Sequence, residues 1–155
     1  IDCRIFMTSV KGSKWCIVLG LLNEKPYEVF AIPAQFSNTL AETGTIIKVK
    51  SGYYEMKSNG DTLNLSKEHI SHEQAEICRL VSLSLRHGVP NHFIVEQLEK
   101  SSGDMQAMSR AIARCIKRYI PDGTRVNGSC ENCGGKLIRQ EGCVRCSQCT
   151  WTKCS

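Results

Sequence analysis

The stretch that decides how this chain is divided is CENCGGKLIRQEGCVRCSQCTWTKC, residues 130–154, which holds six of the ten cysteines of the 155-residue chain. A structural zinc site takes four soft ligands in a tetrahedron. Two CxxC pairs supply them, because two intervening residues let both sulfurs of a pair face one ion. The stretch is too short to form a hydrophobic core, so metal would supply its folding free energy. The spacing therefore predicts a zinc-ribbon-like tail.

The second CxxC pair is ambiguous, because CVRCSQC at residues 143–149 contains two overlapping CxxC units. Two ligand sets satisfy the spacing: Cys130 and Cys133 with Cys146 and Cys149, or Cys130 and Cys133 with Cys143 and Cys146. The first set leaves Cys143 and Cys154 outside the metal site. The second leaves Cys149 and Cys154. Either way two thiols are spare, and they are inert, used in disulfide exchange, or part of a less usual site.

Upstream of the tail the cysteines stand singly among apolar residues, as small buried hydrophobes do: Cys3, Cys16, Cys78 and Cys115. No apolar run approaches the ~20 residues that span a bilayer. The start, IDCRIFMTSV, lacks the regions of a signal peptide. We therefore expect a cytoplasmic protein with no membrane partner. Its first residue is Ile rather than Met, so we expect it to be part of something longer.

The first 66 residues predict strands. Segments rich in β-branched and aromatic residues alternate with turn-forming residues: CRIFMTS, KWCIVLGLL, YEVFAIP, TIIKVK, YYEMKS and GDTLNLS. TIIKVK and YYEMKS, joined through Ser51 and Gly52, have the form of a hairpin.

From Ser71 onward the apolar residues follow a helical period. Ser71 and Gln74 have the form of a capping box, and Gly88 with Pro90 is a stop signal. Helices are predicted at residues 72–87, 91–100 and about 105–119, the last with the clearest periodicity. On the first helix the predicted apolar stripe is Ile77, Leu80, Val81, Ser84 and Leu85. The predicted fold is α+β: an antiparallel sheet packed against about three helices at residues 1–121, a linker at 122–129 and the zinc-ribbon-like tail at 130–155.

Catalytic machinery is not evident. The sequence has no glycine-rich phosphate loop and no Ser, His, Asp order that indicates a triad, so we assign no catalytic residue to this chain. The four histidines are interpreted as surface residues: His69, His72, His87 and His92. If an enzyme is involved, this chain is its tail or accessory subunit.

Several segments, in a fixed order, resemble the C-terminal region, carrying the TSCPD domain, of adenosylcobalamin-dependent (class II) ribonucleotide reductases: KPYEVFAI, RLVSLSLRHGVP, IVEQLEK, MSRAIARCIKRYI and CENCGGKLIRQEGCVRCSQC. The resemblance implies an accessory domain or subunit of a ribonucleoside diphosphate or triphosphate reductase. The catalytic barrel and its adenosylcobalamin lie outside this chain. It also implies that a mobile cysteine pair re-reduces the barrel by disulfide exchange and is recharged by a thioredoxin-type protein.

The resemblance also implies an assignment of the tail cysteines. The family's second knuckle falls on Cys146 and Cys149, which places zinc on Cys130, Cys133, Cys146 and Cys149. Cys143 and Cys154 then become the redox pair. The alternative pair, Cys149 with Cys154, takes Cys143 as a zinc ligand in place of Cys149, and its spacing resembles shuttle pairs in other ribonucleotide reductases. Arg145 and Lys153 beside the candidates would favour thiolate.

A zinc-ribbon nucleic-acid-binding module is the alternative function. Residues 82–100 have the outline of a helix-turn-helix, and zinc ribbons often contact nucleic acid. A basic helical face is also predicted: Arg110, Arg114, Lys117 and Arg118. The net charge of +5 is compatible with this partner. This alternative gives the two spare thiols no purpose.

Overall fold

Six strands of the first half form one antiparallel sheet in the computed structural model, which describes residues 1–36 and 41–154. The strands are β1 (Asp2–Val10), β2 (Ser13–Leu22), β3 (Lys25–Pro33), β4 (Thr43–Lys50), β5 (Tyr53–Ser58) and β6 (Asp61–Asn64). Their order is β3-β2-β1-β4-β5-β6. Consecutive strands pair as hairpins except β3 and β4, because β4 pairs with β1, which therefore lies between β2 and β4.

Three helices follow the sheet: α1 (His72–Arg86), α2 (Asn91–Glu99) and α3 (Gln106–Lys117). Single 3₁₀ turns lie at Ala34–Phe36, Lys67–His69 and Gly103–Met105. The predicted capping box starts α1, since the Gln74 N–H donates to Ser71 Oγ at 3.1 Å and the Ser71 N–H donates to Gln74 Oε1 at 2.9 Å. Two otherwise unsatisfied donors are thereby satisfied.

The central strand β2 is buried on both faces. Ile17 and Leu19 face a core shared with all three helices, whereas Cys16 and Val18 face a second cluster closed by residues of β4 and β5. Successive side chains of a strand point to opposite faces, so one strand contributes to both clusters. This two-sided burial explains why β2 reads as a continuous apolar run.

Helix α1 is rotated relative to its predicted stripe. Val81 and Leu85 are buried as expected, but Leu80 is 62% exposed. Ser82 is buried instead, because its hydroxyl accepts a hydrogen bond from the Val29 N–H at 3.0 Å. A hydroxyl at this position lets the helix satisfy a polar group of β3 while lying close to the sheet.

Helix α3 anchors the main core. Met108, Ile112 and Ile116 are almost completely buried. We expect Ile112→Ala to lower the free energy of unfolding by about 2–5 kcal/mol, since it leaves a cavity in packed surroundings. Urea unfolding followed by circular dichroism measures this change. The exposed Leu80→Ala is the matched control, with an expected change within about 0.5 kcal/mol. Equal effects of the two variants would contradict this packing.

The last 31 residues contain a separate four-stranded antiparallel sheet, named the ribbon. It consists of β7 (Arg125–Ser129), β8 (Lys136–Gln140), β9 (Cys143–Cys146) and β10 (Thr152–Lys153), in the order β10-β9-β8-β7. Its buried cluster comprises Cys130, Leu137 and Cys146. The α+β fold with a zinc-ribbon-like tail is thus confirmed.

Strand β7 lies inside the segment predicted as a linker, residues 122–129. It joins the ribbon because the half-buried Val126 packs against the ribbon's cluster. The boundaries of the predicted domains stay a prediction. No helix among the described residues has the length and apolar character needed to cross a membrane.

Candidate metal centre and adjacent disulfide

Four cysteine sulfurs converge at one end of the ribbon. The Sγ atoms of Cys130, Cys133, Cys146 and Cys149 all lie within 4.8 Å of one another. Cys130 and Cys149 are 3.6 Å apart, and Cys133 and Cys146 are 3.5 Å apart. A tetrahedral zinc site with Zn–S bonds of about 2.3 Å places its sulfurs about 3.8 Å apart. The cluster is therefore close to the dimensions that such an ion requires.

The first knuckle is a tight turn between β7 and β8. The Gly134 N–H donates to the Cys130 carbonyl at 2.9 Å, and the Cys130 N–H donates to the Gly135 carbonyl at 2.9 Å. Gly134 has a φ of +72°, which glycine adopts without strain. A Cβ on Gly135 would lie 3.0 Å from the Cys146 sulfur. Both glycines are thus needed for the two knuckles to meet.

The second knuckle points backbone donors at sulfur. The N–H groups of Gln148 and Cys149 donate to Cys146 Sγ at 3.3 and 3.4 Å. The Trp151 N–H donates to Cys149 Sγ at 3.4 Å. Donors of this kind stabilise a thiolate and hold a ligand in place. The backbone donors therefore have the arrangement that metal-bound thiolates require.

The thiols of the cluster differ in acidity. The Gln148 N–H contributes most to lowering the pKa of Cys146, to about 6. The Gly135 N–H acts to lower the pKa of Cys133, but the neighbouring sulfurs of Cys146 and Cys149 outweigh it and raise that pKa to about 12. Metal ligands must be deprotonated, so a bound divalent ion would displace the remaining protons. Four thiolate donors of this geometry fit a soft or borderline metal such as zinc.

The two remaining cysteines of the ribbon form a disulfide. Cys143 and Cys154 have their Cα atoms 4.4 Å apart. Strand β10 pairs with β9 through Thr152 opposite Arg145 and Lys153 opposite Val144. The next position in this antiparallel register brings Cys154 opposite Cys143, at the short separation of a non-hydrogen-bonded pair. Cys143 is half-buried and Cys154 is exposed, so the disulfide is accessible at the ribbon's edge.

The pleat of β9 separates the disulfide from the sulfur cluster. Cys143 and Cys146 are three residues apart, so their side chains point to opposite faces of the strand. The structure brings Cys149 to the cluster and leaves Cys143 outside it. The alternative ligand set, with Cys143, and the alternative pair of Cys149 with Cys154 are not brought together.

The cations expected beside the redox cysteines lie on different faces. Arg145 shares the face of Cys143, two residues away, and its Nη1 donates to Gln140 Oε1 at 2.8 Å. Lys153 precedes Cys154 in β10, so its side chain points to the other face. Of these two cations, Arg145 is therefore the one positioned to influence the disulfide.

The predicted basic face of α3 is divided. Arg110 and Arg114 are exposed, but Lys117 is 5% exposed and pairs with Glu99 at the end of α2. Arg118 lies over the Phe6 ring at 4.9 Å. The two helices of the expected helix-turn-helix, α1 and α2, are present, but α2 carries no Lys or Arg that could contact a phosphate backbone. The four cations do not form one open surface for a phosphate backbone.

The four cysteines of the main domain are buried, as predicted. Burial raises the pKa of Cys3 to about 11 and that of Cys115 to about 12, which keeps both protonated and unreactive at neutral pH. His69, His72 and His87 are exposed, and the half-buried His92 packs on Phe93. Among the described residues, the sulfur cluster is the one group with metal-ligand geometry.

Sequence patterns missed one buried charge cluster. Glu99 pairs with Lys117 and also lies 3.8 Å from Arg139 Nη2 of β8. Arg139 is 5% exposed. Its backbone extends the pairing of β7 with β8, since its N–H donates to the Thr124 carbonyl at 2.7 Å and its carbonyl accepts from the Gly123 N–H at 2.7 Å. We refer to Glu99, Lys117 and Arg139 together as the joint. No local pattern reveals it, because its members come from three elements.

Fold and site together define an α+β domain followed by a cysteine ribbon that can hold a metal ion. The chain belongs to the family described as NrdJ homologue C-terminal domain, whose model matches residues 1–121. The family relates it to the C-terminal region of class II ribonucleotide reductases and to association with their catalytic part. Neither a curated protein nor a solved structure gives a significant match.

Proposed function

We propose that this chain is a TSCPD-type C-terminal accessory domain or subunit of a ribonucleotide reductase, and that its ribbon binds zinc and delivers reducing equivalents to the catalytic barrel. The observation that carries the proposal is the exposed disulfide between Cys143 and Cys154 beside a complete set of four sulfurs. Four cysteines satisfy one zinc ion, which leaves this pair for exchange. Family membership supplies the reductase context.

The zinc ion would act as a staple in this scheme. Cys130, Cys133, Cys146 and Cys149 would hold it, and it would fix β9 while the disulfide is opened and closed. Because Cys143 belongs to β9, the metal keeps one redox sulfur in place. Cys154 lies beyond the two-residue β10, which few backbone hydrogen bonds retain. The pair thus combines one fixed and one movable sulfur.

Electrons enter through a dithiol protein of the thioredoxin type. Its thiolate attacks Sγ of Cys154, the exposed member of the pair, and the bond to Cys143 breaks. Cys143 leaves as a thiolate, with the positive charge of Arg145 on its face. The second thiol of the reductant then releases Cys154. The reductant ends as a disulfide, and the ribbon gains two electrons and two protons. The reverse exchange passes both to a disulfide in the barrel.

Thiol alkylation tests the proposal. After treatment of the zinc-loaded chain with thioredoxin and its reductase, we expect alkylation at Cys143 and Cys154 alone. Metal protects the cluster, and burial protects the main-domain cysteines. Peptide mass spectrometry locates the labels, and a chelator added as a control should make the cluster cysteines react as well. Labels at Cys149 with Cys154, or a disulfide that thioredoxin cannot reduce, would contradict this proposal.

A further inference from the structure

A cavity of about 770 Å³ lies between the helices and the ribbon. Helices α2 and α3 form one wall, and all four ribbon strands contribute to the other. Small-molecule sites occupy roughly 300–1,000 Å³ and are frequent where two structural units meet. The cavity therefore has the size and the placement of a ligand site.

The lining of this cavity is strongly cationic. Its positively charged side chains come from both walls: Lys100, Arg110, Arg114, Lys117, Arg139 and Lys153. Glu96 and Glu99 are the carboxylates of the lining, which leaves an excess of four positive charges. Cations from two walls that converge on one partly enclosed space create a positive potential inside it. Such a space favours a ligand with several negative charges.

The protein itself does not neutralise this charge. Glu99 is shared between Lys117 and Arg139, and the buried Nε of Arg139 has no hydrogen-bond partner among the described residues. Arg110 makes no ion pair with any residue that the structure describes. Arg114 donates to the uncharged Thr8 Oγ1 at 2.7 Å. A nearly buried guanidinium with incomplete partners is costly unless an anion completes its surroundings.

Apolar groups lie beside the charged ones. Val126 of β7 and Val144 of β9 line the ribbon wall. Val144 is flanked across the sheet by Arg139 and Lys153. A ligand that fits this wall has an apolar part next to its anionic part. A nucleotide combines both, with a base for the valines and phosphates for the cations.

We propose that this cavity binds a nucleoside triphosphate, with its phosphates between α3 and Arg139 and its base against Val126 and Val144. A single-stranded nucleic acid is less suitable, because its phosphates need an extended positive track. Arg118, the remaining cation of the helix, lies outside the cavity over Phe6. The inference goes beyond the redox function and does not depend on it.

Calorimetric titration of the zinc-loaded chain with ATP tests the site. We expect one binding site, weakened about tenfold or more by Arg110→Ala on the helix wall and by Lys153→Ala on the ribbon wall, since each removes a charged hydrogen-bond donor. Arg118→Ala is the matched control, because it removes the same charge from the same helix outside the cavity. It should leave the affinity within about twofold.

Further titrations identify the ligand class. Adenosine and inorganic tripolyphosphate should each bind more weakly than ATP, since each lacks one half of the recognised chemistry. The proposal would be overturned if ATP did not bind at millimolar concentration, or if all three variants bound ATP with equal affinity. It would also be overturned if tripolyphosphate bound as tightly as ATP, or if an oligonucleotide of about 16 nucleotides without a terminal phosphate bound more tightly than ATP. Circular dichroism of the variants verifies that their folds are intact.

Discussion

Under the proposed function, we expect the replacement of either Cys143 or Cys154 with serine to abolish thioredoxin-driven nucleotide reduction in the assembled reductase and to leave the zinc content unchanged. A single remaining thiol can form a mixed disulfide but cannot complete the exchange, so no electron pair reaches the barrel. The sulfur cluster does not include either residue, so the metal site should survive. The measurements are deoxynucleotide formation with the thioredoxin system and elemental analysis of zinc.

A small dithiol distinguishes a defect in electron delivery from a defect in the catalytic reaction of the barrel. Dithiothreitol that enters the active site directly should restore turnover in Cys143→Ser and Cys154→Ser, because the catalytic barrel is intact. If Cys149→Ser and Cys154→Ser lose activity while Cys143→Ser loses zinc, the redox function stands and the ligand assignment is wrong. Normal thioredoxin-driven turnover in all three variants would eliminate the redox function and leave a metal-stabilised binding module.

We expect Cys130→Ser to abolish zinc binding and to unfold the ribbon, whereas the six-stranded sheet and its helices should stay folded. The ribbon's own buried cluster is small, and two of its three fully buried members are cysteines of the metal site. Structural zinc in comparable peptides contributes about 10–16 kcal/mol at neutral pH, far more than such a cluster provides. Two-dimensional NMR should show collapsed dispersion for residues 125–154 alone.

Cys143→Ser is the matched control for this experiment, since it changes a cysteine of the same sheet outside the cluster. The NMR signals of its ribbon should remain dispersed, and its metal should remain bound. Chelation of the unmodified protein should reproduce the spectrum of Cys130→Ser. A ribbon that keeps its dispersion after chelation would show that hydrogen bonds and packing hold it without metal.

Local patterns predicted most of the secondary structure. The capping box at Ser71 and the periodicity of α3 specify their helices through contacts within a few residues. Sheet order was not predictable in this way. The pairing of β1 with β4 joins Asp2 to Thr45 and depends on contacts far apart in sequence. The buried face of α1 could not be predicted either. Ser82 is buried because its hydroxyl accepts a hydrogen bond from β3, and hydropathy gives no information about that bond.

The cysteine spacing alone predicted a metal site but left two ligand sets. In the sequence, the two overlapping CxxC units are equivalent. In a strand, the side chains of Cys143 and Cys146 point to opposite faces, so the two units are no longer equivalent. The extension of β9 to Cys146 is what separates Cys143 from the cluster. The joint at Glu99 has no linear pattern, since α2, α3 and β8 must first be assembled.

The polar character of the joint has a consequence for solubility. The main core and the ribbon cluster share no residue, and an ion pair between Glu99 of α2 and Arg139 of β8 joins the two units. If the ribbon moves away, water solvates the charges of the joint, and the valines uncovered at the cavity wall, Val126 and Val144, form only a small apolar patch. Repeated excursions therefore carry little risk of aggregation.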